Sequence, residues 1–383
     1  MVAALHYGQR LPAKLTDEET EVFLSLRRFS EAAGKKPPEI DRAAQRVAAA
    51  LCLLTDPKKG PAPAKVVEYL MRRRGMIGPP PHMLSGTFSG PVGAGLKAAL
   101  ARHQARAAAS SRLGIGICED PLEAGRRRIL LAYYPSAVRI AKIPRLMRLQ
   151  QRTVLNAKVA AGVAHVRWVI ADPRQNIISQ ANVEEGVAFG CLVSGVYRIQ
   201  LMGKGKLGET VLAGFPVYCG TKAPDELELA KPRPVGTSVV ELEAEALRLL
   251  QRLRLRSGRK KLVADTQLKK MARLHSADML RSDYVGHRSP TGTGPADRAK
   301  IIGVPYRVLR ENVARAYSLY DAFERLTKSP SHLQNMLAED ITHVGLGISI
   351  KKNGEVILLY LTQNFSLPAK PTPAVDEPEP WQK

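Results

Sequence analysis

The sequence predicts an α+β fold built as several domains, and three observations carry that reading. Amphipathic helical patterns recur toward both ends of the chain. Between residues 154 and 220 the pattern changes to short β-type runs. Two short glycine motifs, Leu113-Gly114-Ile115-Gly116-Ile117 and Val344-Gly345-Leu346-Gly347-Ile348, mark strands in regions that also hold helices. A chain of 383 residues is too long for one ordinary core. Its apolar share of 45% is enough for each part to bury its own.

The elements follow in order. An apolar stripe of Val22, Leu24, Leu26 and Phe29 predicts a helix over Glu19–Ala33, ending at Gly34. Helices are expected over Glu39–Leu54 and Lys65–Arg74, stopped by Asp56-Pro57 and Gly75. Residues Gly78–Gly95 are rich in Gly and Pro and read as loop, with another helix over Leu96–Ser111. Leu113–Ile117 and Ile129–Tyr134 read as strands around a turn. Val154–Val159, His165–Ile170, Asn176–Gln180, Tyr197–Met202 and Val211–Tyr218 then recur at the regular spacing of a small sandwich. Within it, Ser194-Gly195-Val196-Tyr197-Arg198-Ile199 resembles the corner-tyrosine strand of immunoglobulin-like domains. Gly203-Lys204-Gly205-Lys206-Leu207-Gly208 fits a dinucleotide-binding pattern. The strand continuing after it makes it a hairpin tip instead, because phosphate binding needs a helix N-terminus there.

The four cysteines fall in two local pairs, Cys52 with Cys118 and Cys191 with Cys219. Disulfides in an oxidising compartment and four buried thiols are both compatible with that placement. No Cys-x-x-Cys or Cys/His cluster suggests structural zinc. The formal charge of +23 favours an anionic partner, such as a surface polymer or lipid. The basic residues are thinly spread and aromatics make up only 5%, so a stacking groove for nucleic acid is not visible. No stretch approaches the roughly 20 apolar residues of a membrane span. Met1–Phe23 lacks the features of a signal peptide, which implies an intracellular chain or an export signal encoded upstream.

The last region orders its polar residues in four blocks. These are Tyr284-Val285-Gly286-His287-Arg288-Ser289-Pro290, Leu309-Arg310-Glu311-Asn312-Val313-Ala314, Ser329-Pro330-Ser331-His332 and Thr362-Gln363-Asn364-Phe365. In this order and spacing, residues 237–368 resemble the CAP superfamily (cysteine-rich secretory proteins, antigen 5 and pathogenesis-related-1 proteins), in its bacterial SCP-like branch. The resemblance implies an α-β-α sandwich whose cavity places two histidines opposite two acidic residues and can hold a divalent ion. It implies that His287, Glu311 and His332 line that cavity. Arg310 stands where a glycine is usual, Leu326 where a tryptophan is common, and Ser329 near the second acid. Zinc or another divalent cation is then a candidate for His287, Glu311 and His332, with Glu311 the candidate catalytic base. The lost second acid weakens both ideas. His275, one step off an apolar helix face, is expected to be packed or hydrogen-bonded, and His343 to lie at the surface.

The N-terminal region repeats the order of these elements. Ile40, Ala43, Ala44 and Ala49 align with Leu268, Met271, Ala272 and Ala277, and Gly114 with Gly345. His103 falls near the counterpart of His332. Lys59 and Met83 stand in the places of His287 and Glu311, so this copy would lack the cavity.

The expected organisation is a helical segment at 1–37 and an α+β domain, a degenerate CAP-like copy, at 38–148. An immunoglobulin-like sandwich follows at 149–222, then a linker at 223–236, a CAP domain at 237–368 and a Pro-rich disordered tail at 369–383. The expected function is a non-enzymatic, secreted or cell-surface module that binds an anionic or amphipathic ligand. A metal-assisted hydrolase acting on peptide or wall material is the alternative.

Overall fold

The computed structural model describes residues 6–7, 14–32, 34–55, 62–90, 92, 96, 112–134, 138–183, 186–228, 238–353 and 356–369. The expected helix over Leu96–Ser111, Lys59, His103, most of the linker and nearly all of the tail therefore lie outside the described residues. The fold is mixed α/β. It divides into two compact units: Met1–Pro234 with Arg315–Gln334 and Lys351–Leu359, and Val235–Ala314 with Asn335–Ile350 and Tyr360–Lys383.

The first unit begins with β1 (His6–Tyr7), α1 (Asp17–Ala32), β2 (Glu39–Ile40), α2 (Arg42–Leu54) and α3 (Ala64–Arg73). A capping box opens α1: the Thr16 hydroxyl accepts from the Glu19 N–H at 3.2 Å, and the Glu19 carboxylate accepts from the Thr16 N–H at 2.9 Å. Asp41 caps α2 by accepting from the Ala44 N–H at 3.0 Å. Strands β3 (His82–Phe88), β4 (Arg112–Glu119) and β5 (Arg127–Tyr134) complete a sheet of order β2-β4-β5-β3, with β2 parallel to β4. The presence of β3 corrects the loop expected over Gly78–Gly95. As an edge strand it tolerates Ser85 and Gly86, while Leu84 and Phe88 enter the core. Cys52 on α2 is bridged to Cys118 on β4.

The middle segment is all β: β6 (Val138–Ile140), β7 (Ile143–Pro144), β8 (Leu146–Met147), β9 (Arg152–Leu155), β10 (Ala157–Val159), β11 (Ala164–Ala171), β12 (Ile177–Asn182), β13 (Val187–Gly190), β14 (Gly195–Gly205) and β15 (Gly208–Cys219). One sheet runs β12-β11-β14-β15-β8, and β9 with β13 and β10 with β6 form short pairs. The expected single strand Val154–Val159 is thus two strands split at Asn156, because β9 and β10 pair with different partners. Trp168, Tyr197, Ile199, Leu201 and Phe215 fill the core with the Cys191–Cys219 bridge. The Tyr197 hydroxyl accepts from the Val193 N–H at 3.0 Å, holding the chain beside that bridge. The β14–β15 hairpin closes at Gly205 opposite Gly208, so the glycine motif there is a turn. The bridge closes a loop of 28 residues. Replacing Cys191 and Cys219 together with Ser is expected to lower unfolding free energy by about 3–4 kcal/mol on the chain-entropy model, measured by denaturant unfolding.

The last region contributes α4 (Val239–Arg256), β16 (Val263–Ala264), α5 (Thr266–Arg281), α6 (Pro295–Ile302), β17 (Val308–Ala316), α7 (Leu319–Lys328), α8 (Pro330–Leu337), β18 (His343–Asn353) and β19 (Val356–Leu367). Its sheet order is β16-β18-β19-β17, with β16 parallel to β18. Ser238 and Glu241 form a capping box on α4, and Asp265 caps α5 by accepting from the Leu268 N–H at 2.7 Å. Strand β18 lies so close on α5 that a Cβ at Gly345 would sit 2.1 Å from the Leu268 carbonyl carbon, and one at Gly347 2.1 Å from Arg273 N. Leu268, Met271, Ala299 and Val304 form a core between α5 and α6. Among the described residues no helix is long and apolar enough to cross a membrane.

Candidate functional site

Within the second unit, the polar chemistry converges on one carboxylate. Glu311 sits mid-strand on β17 with its side chain only 2% exposed. A carboxylate buried to that degree needs its charge matched and its oxygens bonded. Arg298, reaching from α6, donates Nη2 to Oε2 at 2.7 Å. His287, in the loop after α5, places Nδ1 2.9 Å from Oε1. A carboxylate oxygen only accepts, so His287 Nδ1 carries the proton. Asn364, on β19, takes the Ala272 N–H on its amide oxygen and donates Nδ2 to Glu311 Oε2 at 3.0 Å.

Burial alone would raise the Glu311 pKa. The His287 hydrogen bond and the Arg298 charge outweigh it and hold the carboxyl below its ordinary value. Glu311 is therefore an ionised carboxylate with both oxygens hydrogen-bonded. Its main chain is tied down as well, since Asn335 Nδ2 donates to the Glu311 carbonyl at 3.2 Å and to Asn312 Oδ1 at 2.9 Å. Asn312 in turn donates to Gln363 Oε1 at 3.1 Å. Its role is to tie β17 to β19.

His275 lies 3.8 Å from the same Glu311 oxygen and is 1% exposed. Its Nε2 faces the Gly286 carbonyl at 2.9 Å, an acceptor, so the proton is on Nε2. Burial lowers its pKa, and the ring is neutral. It is both packed and hydrogen-bonded. His343 is only half-buried.

The other two cavity candidates lie in the first unit. Ser329 joins α7 to α8, with its Oγ 2.6 Å from His332 Nδ1. The structure thus brings His287 to Glu311, and Ser329 to His332. Arg298 and Asn364 complete the first pair, and neither had a role in the sequence reading. An Arg thirteen positions before a buried Glu carries no spacing signal, because a loop and a strand separate them.

The donor set does not suit a divalent cation. Both Glu311 oxygens already accept from protein donors, one of them a guanidinium, and a second cation there would face Arg298. No group of three or more His, Cys, Asp or Glu among the described residues is placed to hold a metal. In place of a metal ligand or free base, Glu311 is the anion of a buried pair.

Residues 247–365 match the model of the Cysteine-rich secretory protein family, CAP. The uncharacterized protein YkwD of Bacillus subtilis is 33% identical over 112 residues, covering 29% of this chain and 44% of that one. The uncharacterized membrane protein YlbC of the same organism is 31% identical over 146 residues, covering 36% and 39%. The chain thus spans less than half the length of either relative. A solved extracellular SCP-domain protein of Bacillus anthracis is 21% identical, with a TM-score of 0.30, covering 45% of this chain and 65% of that one.

Proposed function

We propose, from the premise that residues 247–365 are a CAP domain, that this protein is a non-enzymatic, extracellular or cell-surface binding module for an anionic or amphipathic ligand. One observation carries the reading: Glu311, the candidate base, is an ionised carboxylate bound by His287 and paired with the Arg298 guanidinium, which hold its pKa below the ordinary value. A carboxylate whose pKa is held low is a weak base near neutral pH, where a general base works best with a pKa close to the operating pH. The formal charge of +23 supplies the attraction for an anion, and two disulfides suit an oxidising compartment.

The α+β segment expected at 38–148 is read as a degenerate copy of the CAP unit, except that its last strands, β6–β8, belong with the middle segment. The support is topological. Both sheets have the same order, with one short parallel edge strand followed at once by an Asp-capped helix. The Asp41 N–H donates to the Leu113 carbonyl and the Asp265 N–H to the Val344 carbonyl, each at 2.9 Å. Gly114 meets Ala44 on α2 as Gly345 meets Leu268 on α5. That pairing shifts the helix alignment by four residues, one turn, from the match of Ala44 with Ala272. The middle segment is read as an immunoglobulin-like sandwich, on its buried Trp168 and the Tyr197 hydroxyl contact.

The test uses the full chain. Metal analysis and peptide and cell-wall hydrolysis assays on wild type, His287→Gln and Glu311→Gln are expected to show no stoichiometric metal and no hydrolysis. Sedimentation with phosphatidylglycerol vesicles, but not phosphatidylcholine vesicles, is expected at low salt. Stoichiometric metal together with hydrolysis lost in Glu311→Gln would overturn the reading in favour of a metal-assisted hydrolase.

A further inference from the structure

Three loop segments of the first unit meet at one end of the middle sheet. Residues 148–151 turn between β8 and β9, residues 191–194 lead into β14, and residues 220–222 follow β15. Main-chain contacts hold them together. The Gln150 N–H donates to the Cys191 carbonyl at 2.8 Å, the Cys191 N–H to the Gln151 carbonyl at 3.0 Å, and the Gly220 N–H to the Met147 carbonyl at 2.9 Å. The Ser194 hydroxyl donates to the Gly220 carbonyl at 3.2 Å, and the Cys191–Cys219 disulfide ties the second segment to the third.

These fixed segments leave aliphatic side chains in water. Leu146, Leu149, Leu192 and Val193 are all exposed, Leu192 to 73%. They are neighbours. A Cβ at Gly220 would lie 3.0 Å from Leu149 Cγ and 3.4 Å from Ser194 Oγ, and one at Gly190 3.9 Å from Leu192 Cδ2 and 3.6 Å from Arg152 Cγ. An open groove of about 460 Å³ lies beside them, between Leu146–Arg148 and Gly220–Lys222. A single exposed leucine is ordinary, whereas several together on rigid loops mark a docking face.

The charge around them is of one sign. Arg148, Arg152 and Lys222 are exposed, and residues 145–152, 191–198 and 219–223 contain no Asp or Glu. The adjoining β11–β12 turn, whose Pro173 meets Gly195, adds exposed Arg174; its Asp172 accepts from Asn176. This combination selects the occupant. An anionic polymer would use the cations and leave the leucines in water. A stacking ligand would need exposed aromatic side chains, and these segments have none. Aliphatic side chains ringed by Arg and Lys suit an anionic bilayer surface, which takes the first into its acyl boundary and the second at its phosphates.

We propose that this end of the middle segment docks on an anionic lipid surface, with Leu149, Leu192 and Val193 entering the acyl boundary and Arg148, Arg152 and Lys222 meeting lipid phosphates. The proposal rests on the binding-module reading and names its ligand.

The test uses the full chain with vesicles of phosphatidylglycerol or phosphatidylcholine. Leu149→Ser combined with Leu192→Ser keeps every charge, and both side chains are exposed, so the variant is expected to melt like wild type. Its affinity for phosphatidylglycerol vesicles is expected to fall by about tenfold or more, the factor that burying one leucine supplies. Leu149→Trp is expected to be quenched by brominated phosphatidylglycerol beyond the wild-type signal. Ile301→Trp, at a 76% exposed position on α6, is not. The Trp arm stands whether or not the double Ser variant folds. Unchanged affinity in a folded double variant, equal quenching at both Trp positions, or equally tight binding to phosphatidylcholine would each overturn the proposal. So would a wild-type dimer that the double variant breaks without lipid insertion, which would give the face to a second copy. Stoichiometric metal with hydrolysis lost in Glu311→Gln sinks the binding-module reading and leaves the lipid measurements readable, so the two failures are distinguishable.

Discussion

Gly347→Val is expected to abolish folding of residues 247–365, with an effect larger than about 4 kcal/mol. The atoms a Cβ would meet at Gly347 are backbone of α5: Arg273 N at 2.1 Å and the Ala272 carbonyl carbon at 2.2 Å. A flexible side chain could swing aside; a helix main chain in a close-packed core cannot. Relief requires β18 and α5 to separate. That would also break the hydrogen bond that Ser276 donates to the Gly347 carbonyl at 2.8 Å. Gly205→Ala at the β14–β15 turn has open space around its Cβ and is expected to be near neutral. Thermal unfolding of the two variants side by side checks the argument, and a Gly347→Val melt close to wild type refutes it.

The same packing explains what could be read from the chain. Gly345 and Gly347 alternate with apolar residues, so both the strand and its bare face against a helix are written into a few adjacent letters. Helix ends were legible from local stop residues such as Gly34 and Gly75, but the start of α2 was not: the helix expected from Glu39 begins at Arg42 behind the Asp41 cap, because Glu39–Ile40 pair with β4 far along the chain. Strand β3 was not legible. Its glycines and flanking prolines outweigh its pattern, and only pairing with β5, some forty residues on, makes it a strand. At the site, His287 and Glu311 were legible through their motif blocks, but their protonation was not. That depends on Arg298 and Asn364, whose approach is fixed by tertiary packing.

Arg298→Ala is the second large effect, expected to destabilise the protein by about 3–5 kcal/mol at neutral pH. The variant leaves Glu311 ionised in a site where its side chain is 2% exposed and its guanidinium partner is gone. Removing the charge together with its partner should recover much of the loss, so Arg298→Ala combined with Glu311→Gln is expected to be more stable than Arg298→Ala alone. The pH dependence separates this account from simple loss of packing. The native Glu311 carboxyl titrates below its ordinary value of 4.5. Its contribution is therefore complete above that value and is lost as pH falls toward the native one. Buried His275 also titrates below its ordinary 6.5, so its neutral form adds stability that begins to fade as pH drops under 6.5. Wild type should weaken gently below pH 6.5 and more steeply below 4.5. In Arg298→Ala the carboxyl keeps the His287 hydrogen bond but loses the guanidinium charge, so it is held less low and takes its proton earlier. The stability gap to wild type should then narrow under acid, because a protonated Glu311 has little use for a guanidinium. Denaturant unfolding of both proteins between neutral pH and the acid limit reads this directly. A gap that stays constant across that range would mean Arg298 acts by filling space, and that Glu311 is not the buried anion its contacts make it.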